Sequence, residues 1–204
     1  APGVDDMDGV NPRFDFAGAV PSIEDLAPAH LIAIGGAGMS AVARLLLRRG
    51  VEVTGSDAQD GPVVQALRAE GATVWVGHDP AHVQGAGSIV ISSAIREDNV
   101  ELAHARRLGL PVWHRAQALA ATMSEHRRVA VAGANGKTTT TAMLVAALSA
   151  AGADPSFAVG AELVGRGTNA EVGAGTEFVV EADESDGSFL VYRPDVAVVT
   201  NVQP

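Results

Sequence analysis

Residues 129–141 contain the groups that a phosphate-binding loop requires. An apolar run leads into Gly133 and Gly136, and Lys137 follows with four consecutive threonines. Backbone amides between the glycines can cradle phosphate oxygens, Lys137 supplies a positive charge for the outer phosphates, and the Thr138 hydroxyl can bind Mg²⁺. The segment therefore predicts an ATP site formed by Gly133, Ala134, Asn135, Gly136, Lys137, Thr138 and Thr139.

The loop is a shortened variant of the usual ATP-binding pattern. That pattern would need a glycine where Val131 stands, whereas the glycine-bounded turn here starts at Gly133. Threonines are poor helix formers, so four of them at a helix start favour contacts with a ligand over a purely structural role. For Thr140 and Thr141, packing or solvation is an equally good alternative.

A cluster of carboxylates follows a later apolar run. Glu181, Asp183, Glu184 and Asp186 lie within six positions of one another, directly after a predicted buried strand. Mg²⁺ prefers oxygen ligands of this kind, and open α/β sheets bind ligands at the carboxyl ends of their strands. The cluster is therefore a candidate magnesium site, with a solvated acidic turn as the alternative.

An earlier glycine-rich turn fits a second kind of phosphate site. Residues 36–41 match G-x-G-x-x-A between a predicted strand and a predicted helix. Gly36 and Gly38 would allow the backbone to approach a pyrophosphate, whose charge would meet the amides at the helix start. Asp57 lies about 20 residues after Gly38, where an acidic residue often binds a ribose hydroxyl. A plain helix-packing turn, an NAD site and a UDP-sugar site are the alternatives.

Composition limits the class of protein. The chain has 204 residues, of which 47% are hydrophobic, enough for one large or two small domains. Its net charge of -10 argues against nonspecific nucleic-acid binding. The lack of cysteine excludes disulfides, thiolate metal sites and cysteine nucleophiles. No apolar run reaches the roughly 18–20 residues of a membrane span, and no signal-peptide pattern opens the chain, so we expect a cytoplasmic protein without membrane partners.

Short apolar runs alternate with amphipathic stretches from His30 onward, which predicts a parallel sheet with crossover helices. Residues 1–28 are expected to be an irregular lead-in, 29–125 a Rossmann-like domain, and 126–204 the first part of an ATP-binding domain. The fold class is thus α/β: a Rossmann-like parallel-sheet N-terminal domain followed by an incomplete P-loop-type α/β ATP-binding domain. The second is called incomplete because about four strands share one clear helix.

The individual elements follow from the same pattern. The expected strands are residues 30–35, 51–56, 73–76, 88–92, 111–114, 128–132, 156–159, 178–182 and 196–200. The expected helices are residues 38–48, 62–70, 99–108, 115–123 and 137–151. The glycine-rich residues 160–175 are expected to form a loop.

The order and spacing of these motifs resemble the Mur ligases over about residues 29–204. The first motif favours the member of that family that adds L-alanine over the siblings that add later amino acids. The motifs are Gly35-Gly36-Ala37-Gly38-Met39-Ser40, Ser92-Ser93-Ala94-Ile95, Gly136-Lys137-Thr138-Thr139-Thr140-Thr141, Glu181-Ala182-Asp183-Glu184-Ser185-Asp186 and Thr200-Asn201.

The resemblance implies an ATP-dependent ligase of peptidoglycan precursor synthesis with three domains. The first would bind the UDP-sugar, the second would bind ATP, and the third would help to bind the nucleotide and the amino acid. The γ-phosphoryl group of ATP would pass to the lactyl carboxylate of UDP-N-acetylmuramate. L-alanine would then attack the acyl phosphate and form an amide. The family continues after Thr200-Asn201 to an Asp-His pair, which lies beyond Pro204, so the chain is expected to be an N-terminal fragment that is inactive alone.

The resemblance also implies residue roles. Lys137 and Mg²⁺ would neutralise charge on the transferring phosphoryl group, and Thr138 and Glu181 would bind the metal. The UDP-sugar cleft would be formed by Gly36, Ala37, Gly38, Met39, Ser40, Asp57, His78, Ser92, Ser93, Ala94 and Arg115.

The ATP loop departs from the family pattern at two positions. Ala134 replaces a threonine, which removes a hydroxyl worth about 1 kcal/mol of nucleotide binding. Asn135 replaces the histidine of the alanine-adding member, although sibling ligases have asparagine there.

Two other functions remain open. One is a related ligase that attaches a recycled peptide to the same sugar nucleotide. The other is a dehydrogenase or nucleotide-binding module without ligase chemistry, which would leave Lys137 and the acidic cluster at Glu181 unexplained.

Overall fold

The structure, a computed structural model, describes residues 13–182 and 187–202 and contains two five-stranded sheets. The strands of the first sheet are β1 Ala29–Ile32, β2 Val53–Asp57, β3 Thr73–Val76, β4 Ser88–Ile91 and β5 Val112–His114. Those of the second are β6 Arg127–Ala132, β7 Ser156–Leu163, β8 Thr168–Glu171, β9 Glu177–Glu181 and β10 Val196–Val199. The α-helices are α1 Ile23–Leu26, α2 Ala37–Arg48, α3 Pro62–Ala69, α4 Val100–Arg107, α5 Arg115–Thr122 and α6 Lys137–Ala150.

The first sheet is parallel throughout, as the alternating pattern predicted, with strand order β3-β2-β1-β4-β5. Strands β1 and β4 are buried at all their positions, as in sheets with both faces covered. The direction of winding changes between these two neighbouring strands, and ligands of open α/β sheets bind at such a switch point. The loops after β1 and β4 therefore emerge side by side where a ligand site is expected.

Helix α2 links the two sheets. It starts at the N-cap Gly36, and its buried side chains include Val42, Leu45 and Leu46. These residues share one hydrophobic core with Ala158 and with other residues of the second sheet. The start of this helix is thereby held next to both sheets.

The second sheet has strand order β10-β6-β9-β7-β8, parallel except for β8, which runs antiparallel to β7. The expectation of a loop at 160–175 was wrong, because β7 extends to Leu163 and β8 returns beside it. The turn between them contains Gly165 and Gly167, with φ of 84° and 66°. Glycines suit such a turn, and their abundance conceals the hairpin in the sequence.

The lead-in was expected to be irregular, yet its described part contains the helical turn α1. Ser22 Oγ accepts a hydrogen bond from the Asp25 amide at 3.1 Å, and Asp25 Oδ2 accepts one from the Ser22 amide at 2.9 Å. This capping box was visible as Ser-x-x-Asp, but the surrounding prolines obscured it. Phe14 and Phe16 pack against His114, with ring centroids 4.7 and 5.0 Å away. Residues 1–12 lie outside the described part.

No helix in the described ranges is long and apolar enough to cross a bilayer.

A buried carboxylate ties α4 to the first sheet. Glu101 is fully buried, and its Oε2 accepts a hydrogen bond from Ser56 Oγ at 2.5 Å. His78 Nδ1 lies 3.1 Å from Oε2, His82 Nδ1 lies 2.8 Å from Oε1, and His30 Nε2 lies 3.8 Å from Oε2. Burial alone would raise the pKa of Glu101, but its contacts with His30, Ser56 and His82 outweigh burial and bring that pKa to about 2.

This carboxylate makes the fold acid-sensitive in a defined window. The pKa of Glu101 is lower in the folded state than its ordinary 4.5, so its stabilising effect is complete above about pH 4.5 and disappears as the pH falls toward 2. We expect Glu101→Gln to lower the free energy of unfolding at pH 7 by ~1–3 kcal/mol. The acid limb, which is the fall of that free energy between about pH 4.5 and 2, should become flatter in this variant. Urea titrations can be followed by the fluorescence of Trp75, which stacks on His82 at 4.7 Å.

The matched control is Glu125→Gln, because the Glu125 side chain is 77% exposed. We expect it to leave both the neutral stability and the acid limb unchanged. An acid limb that is the same in Glu101→Gln as in the unsubstituted protein would contradict the assignment.

Candidate functional site

A pocket of about 620 Å³ lies between the first and second sheets, within the usual size of a small-molecule site. Helices, strands and loops that belong to the first or to the second sheet's layer form its wall. From the first come Gly36, Ala37, Gly38, Met39, Ala41, Val42, Ser92, Ser93, Ala94, Arg115 and Leu119. From the second come Lys137, Ala158, Val159, Gly160, Val180, Glu181 and Tyr192.

The first-sheet side of the pocket is built to attract an anion. The first turn of α2 starts at Gly36, and its amides point out of the helix start. Arg115 begins α5 and lies against that turn, since a Cβ on Gly38 would lie 2.8 Å from Arg115 Nη1. A helix N-terminus and a guanidinium side by side favour a diphosphate or another compact anion. Glycine at this position allows the close approach.

Three residues expected in the sugar-nucleotide cleft do not line this pocket. Ser40 is buried and donates from Oγ to the carbonyl of Ala37 at 3.0 Å. Asp57 Oδ2 accepts a hydrogen bond from the Gly35 amide at 2.8 Å, so this carboxylate braces the glycine turn itself. His78 is part of the Glu101 cluster described above. A direct role of these residues in ligand binding stays a prediction.

The loop between β6 and α6 reaches the second-sheet side of the pocket through Lys137, whereas the other predicted ATP-site residues, Gly133, Ala134, Asn135, Gly136, Thr138 and Thr139, do not line it. Gly133 and Gly136 have φ of 133° and 82°, values that favour glycine. A Cβ on Gly133 would also overlap the hydroxyl of Thr200. Lys137 Nζ donates to the carbonyl of Gly133 at 2.6 Å, so the lysine spans the loop while lining the pocket.

Two residues after β10 hold this loop from the neighbouring strand. The Asn135 carbonyl accepts from Thr200 Oγ1 at 2.6 Å and from Asn201 Nδ2 at 2.9 Å. The Asn135 amide donates to Asn201 Oδ1 at 3.1 Å. Sequence reasoning used Thr200 and Asn201 only as part of a resemblance and gave them no role. Two polar residues directly after an apolar strand were the available signal.

Glu181 lies at the end of β9, beside the strand that leads into the loop. In the pairing of β9 with β6 it lies opposite Val131, whose carbonyl accepts from the Ala182 amide at 2.9 Å. Glu181 Oε2 accepts from the Gly160 amide at 3.0 Å. Its Oε1 is buried and has no hydrogen-bond partner among the residues that the structure describes. A buried carboxylate oxygen without a donor is costly unless a ligand such as a cation satisfies it.

Glu181 offers one carboxylate and Thr138 one hydroxyl, and both are oxygen ligands of the kind that Mg²⁺ binds. Within residues 13–182 and 187–202, no three His, Asp or Glu side chains are grouped to hold a metal ion. Mg²⁺ commonly binds through one or two protein oxygens together with substrate phosphates and water. Thr138 is exposed at the second position of α6, directly after Lys137, and does not itself line the pocket. Asp183, Glu184 and Asp186 of the acidic cluster lie outside the described residues.

The apolar wall of the pocket was not predicted. Leu119 belongs to α5, and the buried Tyr192 follows the 3-10 turn Ser188–Val191. Single apolar or aromatic residues have no distinguishing sequence pattern, so only the packing of these elements identifies them.

The fold and the site define an α/β protein in which a Rossmann-like parallel sheet and a second, mixed sheet share one pocket. The chain belongs to the Mur ligase family: the family model described as Mur ligase family, catalytic domain, matches residues 28–127. The predicted family and the α/β fold class are thus confirmed.

Curated relatives are similar over most of the chain. It is 56% identical over 186 residues to the UDP-N-acetylmuramate--L-alanine ligase of Arthrobacter sp. strain FB24, covering 91% of this chain and 40% of that protein. It is 51% identical over 191 residues to the ligase of that name from Salinispora arenicola, covering 94% of this chain and 37% of that protein. The chain thus spans about 40% of the length of these relatives.

Two solved structures of ligases are also similar to most of this chain. The UDP-N-acetylmuramate-alanine ligase from Thermotoga maritima is 32% identical, with a TM-score of 0.80, covering 85% of this chain and 41% of that one. The UDP-N-acetylmuramate:L-alanyl-gamma-D-glutamyl-meso-diaminopimelate ligase from Neisseria meningitides is 31% identical, with a TM-score of 0.80, covering 85% and 60%.

Proposed function

We propose that the protein containing this chain joins L-alanine to the lactyl carboxylate of UDP-N-acetylmuramate at the expense of ATP, in the synthesis of peptidoglycan precursors in the cytoplasm. The observation that carries the proposal is the single pocket lined by Gly36–Gly38 and Arg115 on one side and by Lys137 and Glu181 on the other. A ligase of this kind must bring a sugar nucleotide and ATP together, and these are the two anions that the two sides suit.

Each part of the chain has its own task in this proposal. Residues 29–125 bind the UDP-sugar, with its diphosphate at the start of α2 beside Arg115. Residues 126–204 supply the loop that holds the phosphates of ATP, on the backbone amides of residues 133–139. The Ser92–Ala94 turn after β4 lines the sugar-nucleotide side of the pocket.

The reaction has two steps. A lactyl carboxylate oxygen attacks the γ-phosphorus of ATP and ADP leaves, which forms an acyl phosphate. The amino nitrogen of L-alanine then attacks the acyl carbon, phosphate leaves, and the nitrogen loses a proton to give the amide. Lys137 stabilises the negative charge that develops on the transferring phosphoryl group.

Magnesium fits the second-sheet side of the pocket. Glu181 Oε1, which is buried and has no hydrogen-bond partner within 13–182 and 187–202, would hold it together with the Thr138 hydroxyl. When bound, Mg²⁺ supplies charge neutralisation for the ATP phosphates. Glu181 itself is oriented by the Gly160 amide, so its second oxygen stays directed away from that donor.

A second candidate is the ligase that attaches a recycled peptide to the same sugar nucleotide. The Neisseria meningitides ligase, whose name gives L-alanyl-gamma-D-glutamyl-meso-diaminopimelate as the joined peptide, has the same fold over the compared region and is 31% identical to this chain. The relatives named for L-alanine reach 56% identity, which favours L-alanine as the acceptor. A dehydrogenase would leave Lys137 and Glu181 without a task.

The full-length protein should form an amide and release one phosphate per amide when given ATP, UDP-N-acetylmuramate and L-alanine. Amide formation is measured by mass spectrometry, with a tripeptide as the competing acceptor and NADH titration of tryptophan fluorescence as the test for a dehydrogenase. Preferential use of the tripeptide would move the assignment to the second candidate. Binding of NADH without binding of the UDP-sugar would refute both ligase functions.

A further inference from the structure

One side chain of the β7–β8 hairpin reaches across to the first turn of α2. Asn169 of β8 is 6% exposed. Its Nδ2 donates to the carbonyl of Ala37 at 2.8 Å and to Ser40 Oγ at 3.2 Å, and its Oδ1 accepts from Arg44 Nη1 at 2.5 Å. This amide therefore joins the second sheet to the helix that begins at the anion-binding turn.

The partners of Asn169 fix the orientation of its amide. Arg44 offers only donors and the carbonyl of Ala37 only an acceptor, so each must meet the opposite end of the amide. Rotating the amide by half a turn would set two donors against each other and two acceptors against each other. Neither aspartate nor alanine could satisfy both partners.

The contact between Asn169 and Arg44 orients the two side chains and is not needed to neutralise the charge of Arg44. Arg44 already pairs with Glu70, through Nε at 2.9 and 3.1 Å from the two carboxylate oxygens. Its side chain is 12% exposed and is held by residues of the first sheet's own layer. Asn169 thus adds a neutral, directional link to an arginine whose charge is already balanced.

The same hairpin also orients Glu181. β8 pairs with β7, where Ala158 lies opposite Ala170. Two residues after Ala158, Gly160 donates from its amide to Glu181 Oε2 at 3.0 Å. One end of the hairpin is therefore fixed to the start of α2, and the strand beside it is fixed to Glu181.

We propose that Asn169 is a positioning residue that sets the spacing between the sugar-nucleotide side and the ATP side of the pocket. This inference rests on the proposed ligase function. Each substrate binds mainly to its own side, so loss of the link should leave both affinities almost intact. The turnover rate should fall, because a displacement of about 1 Å between reacting groups can cost on the order of 100-fold in rate.

The test is steady-state kinetics of the full-length protein carrying Asn169→Ala. We expect kcat to fall at least tenfold, with the KM values for ATP and for UDP-N-acetylmuramate within threefold of those of the unsubstituted protein. Calorimetry should still give one UDP-sugar site per chain, which excludes a loss of folded protein as the cause. Asn169→Asp keeps the size and the Arg44 contact but cannot donate to the Ala37 carbonyl, so its kcat should also fall at least fivefold.

Arg166→Ala is the matched control. Arg166 bonds Glu171 and Ser149, which are both in the second sheet's layer, so its loss loosens the same hairpin without removing the link to α2. Its kcat should stay within twofold of the unsubstituted protein. An equal fall in kcat for Arg166→Ala and Asn169→Ala, or unchanged turnover in Asn169→Asp, would overturn the proposal. An unsubstituted protein that makes no amide would instead refute the proposed function.

Discussion

Lys137→Met in the full-length protein is expected to lower kcat by at least 100- to 1,000-fold, the usual effect of removing one preorganised charge that stabilises a transition state. Methionine keeps the length and apolar character of the side-chain stem but removes the ammonium group. The binding of the UDP-sugar should be unchanged, because the start of α2 and Arg115 lie on the other side of the pocket.

The position of Lys137 is the reason for expecting so large an effect. Lys137 Nζ donates to the Gly133 carbonyl at 2.6 Å, so the charge is held over the loop before any phosphate arrives. Little reorganisation is then needed when charge develops on the phosphoryl group. Methionine also removes this hydrogen bond across the loop, so weaker ATP binding should accompany the slower turnover.

Arg127→Met is the matched control for Lys137→Met. Arg127 is exposed at the first residue of β6, and Lys137 follows the other end of the same strand. Both variants lose one positive charge near one strand, yet only Lys137→Met should lose activity. Release of phosphate and formation of the amide should be measured together, since equal turnover in the two variants would exclude Lys137 from the phosphoryl step.

The parts of the site that the sequence predicted are those encoded locally. The glycine turns at Gly36 and Gly133 are each followed by a helix, and their glycine spacing and the neighbouring apolar runs can be read without knowing the tertiary structure. The parallel first sheet follows equally from alternating strand and helix patterns. Strand β1 ends earlier than expected because Ala33 has a φ of 59°.

The parts that were missed depend on contacts between distant segments. Asn169 meets Ala37 across 132 positions of sequence, and Thr200 meets Asn135 across 65. Neither contact leaves a local pattern, and the hairpin that presents Asn169 was hidden by its glycines. The contact of His78 with Glu101 is of the same kind, because nothing near His78 in the sequence indicates it, while the assignment of His78 to the cleft rests on the family resemblance and stays a prediction.

The short loop between β6 and α6 is held by hydrogen bonds from residues outside the loop. Thr200 and Asn201 hold Asn135 from the adjacent strand β10. The same two residues exclude any side chain at Gly133. Two strands that pair in parallel, β6 and β10, thus hold the loop whose amides are proposed to bind phosphate.

Glu181→Gln is expected to lower kcat on the order of 100-fold and to raise the concentration of Mg²⁺ needed for half-maximal activity. Glutamine can still accept the hydrogen bond from the Gly160 amide, so the local fold should persist. The second position then carries an NH₂ group in place of the buried Oε1, which no described residue contacts by a hydrogen bond. That group repels a cation where the carboxylate oxygen would bind one.

Glu177→Gln separates this local effect from a general loss of charge. Glu177 is the first residue of β9 and Glu181 the last, so the two variants remove the same charge from opposite ends of one strand. Activity measured against Mg²⁺ concentration should shift only for Glu181→Gln, because only that end of β9 lines the pocket. If the two variants share one Mg²⁺ dependence, Glu181 is not a metal ligand, and its buried oxygen must serve another donor, such as a substrate hydroxyl or amine.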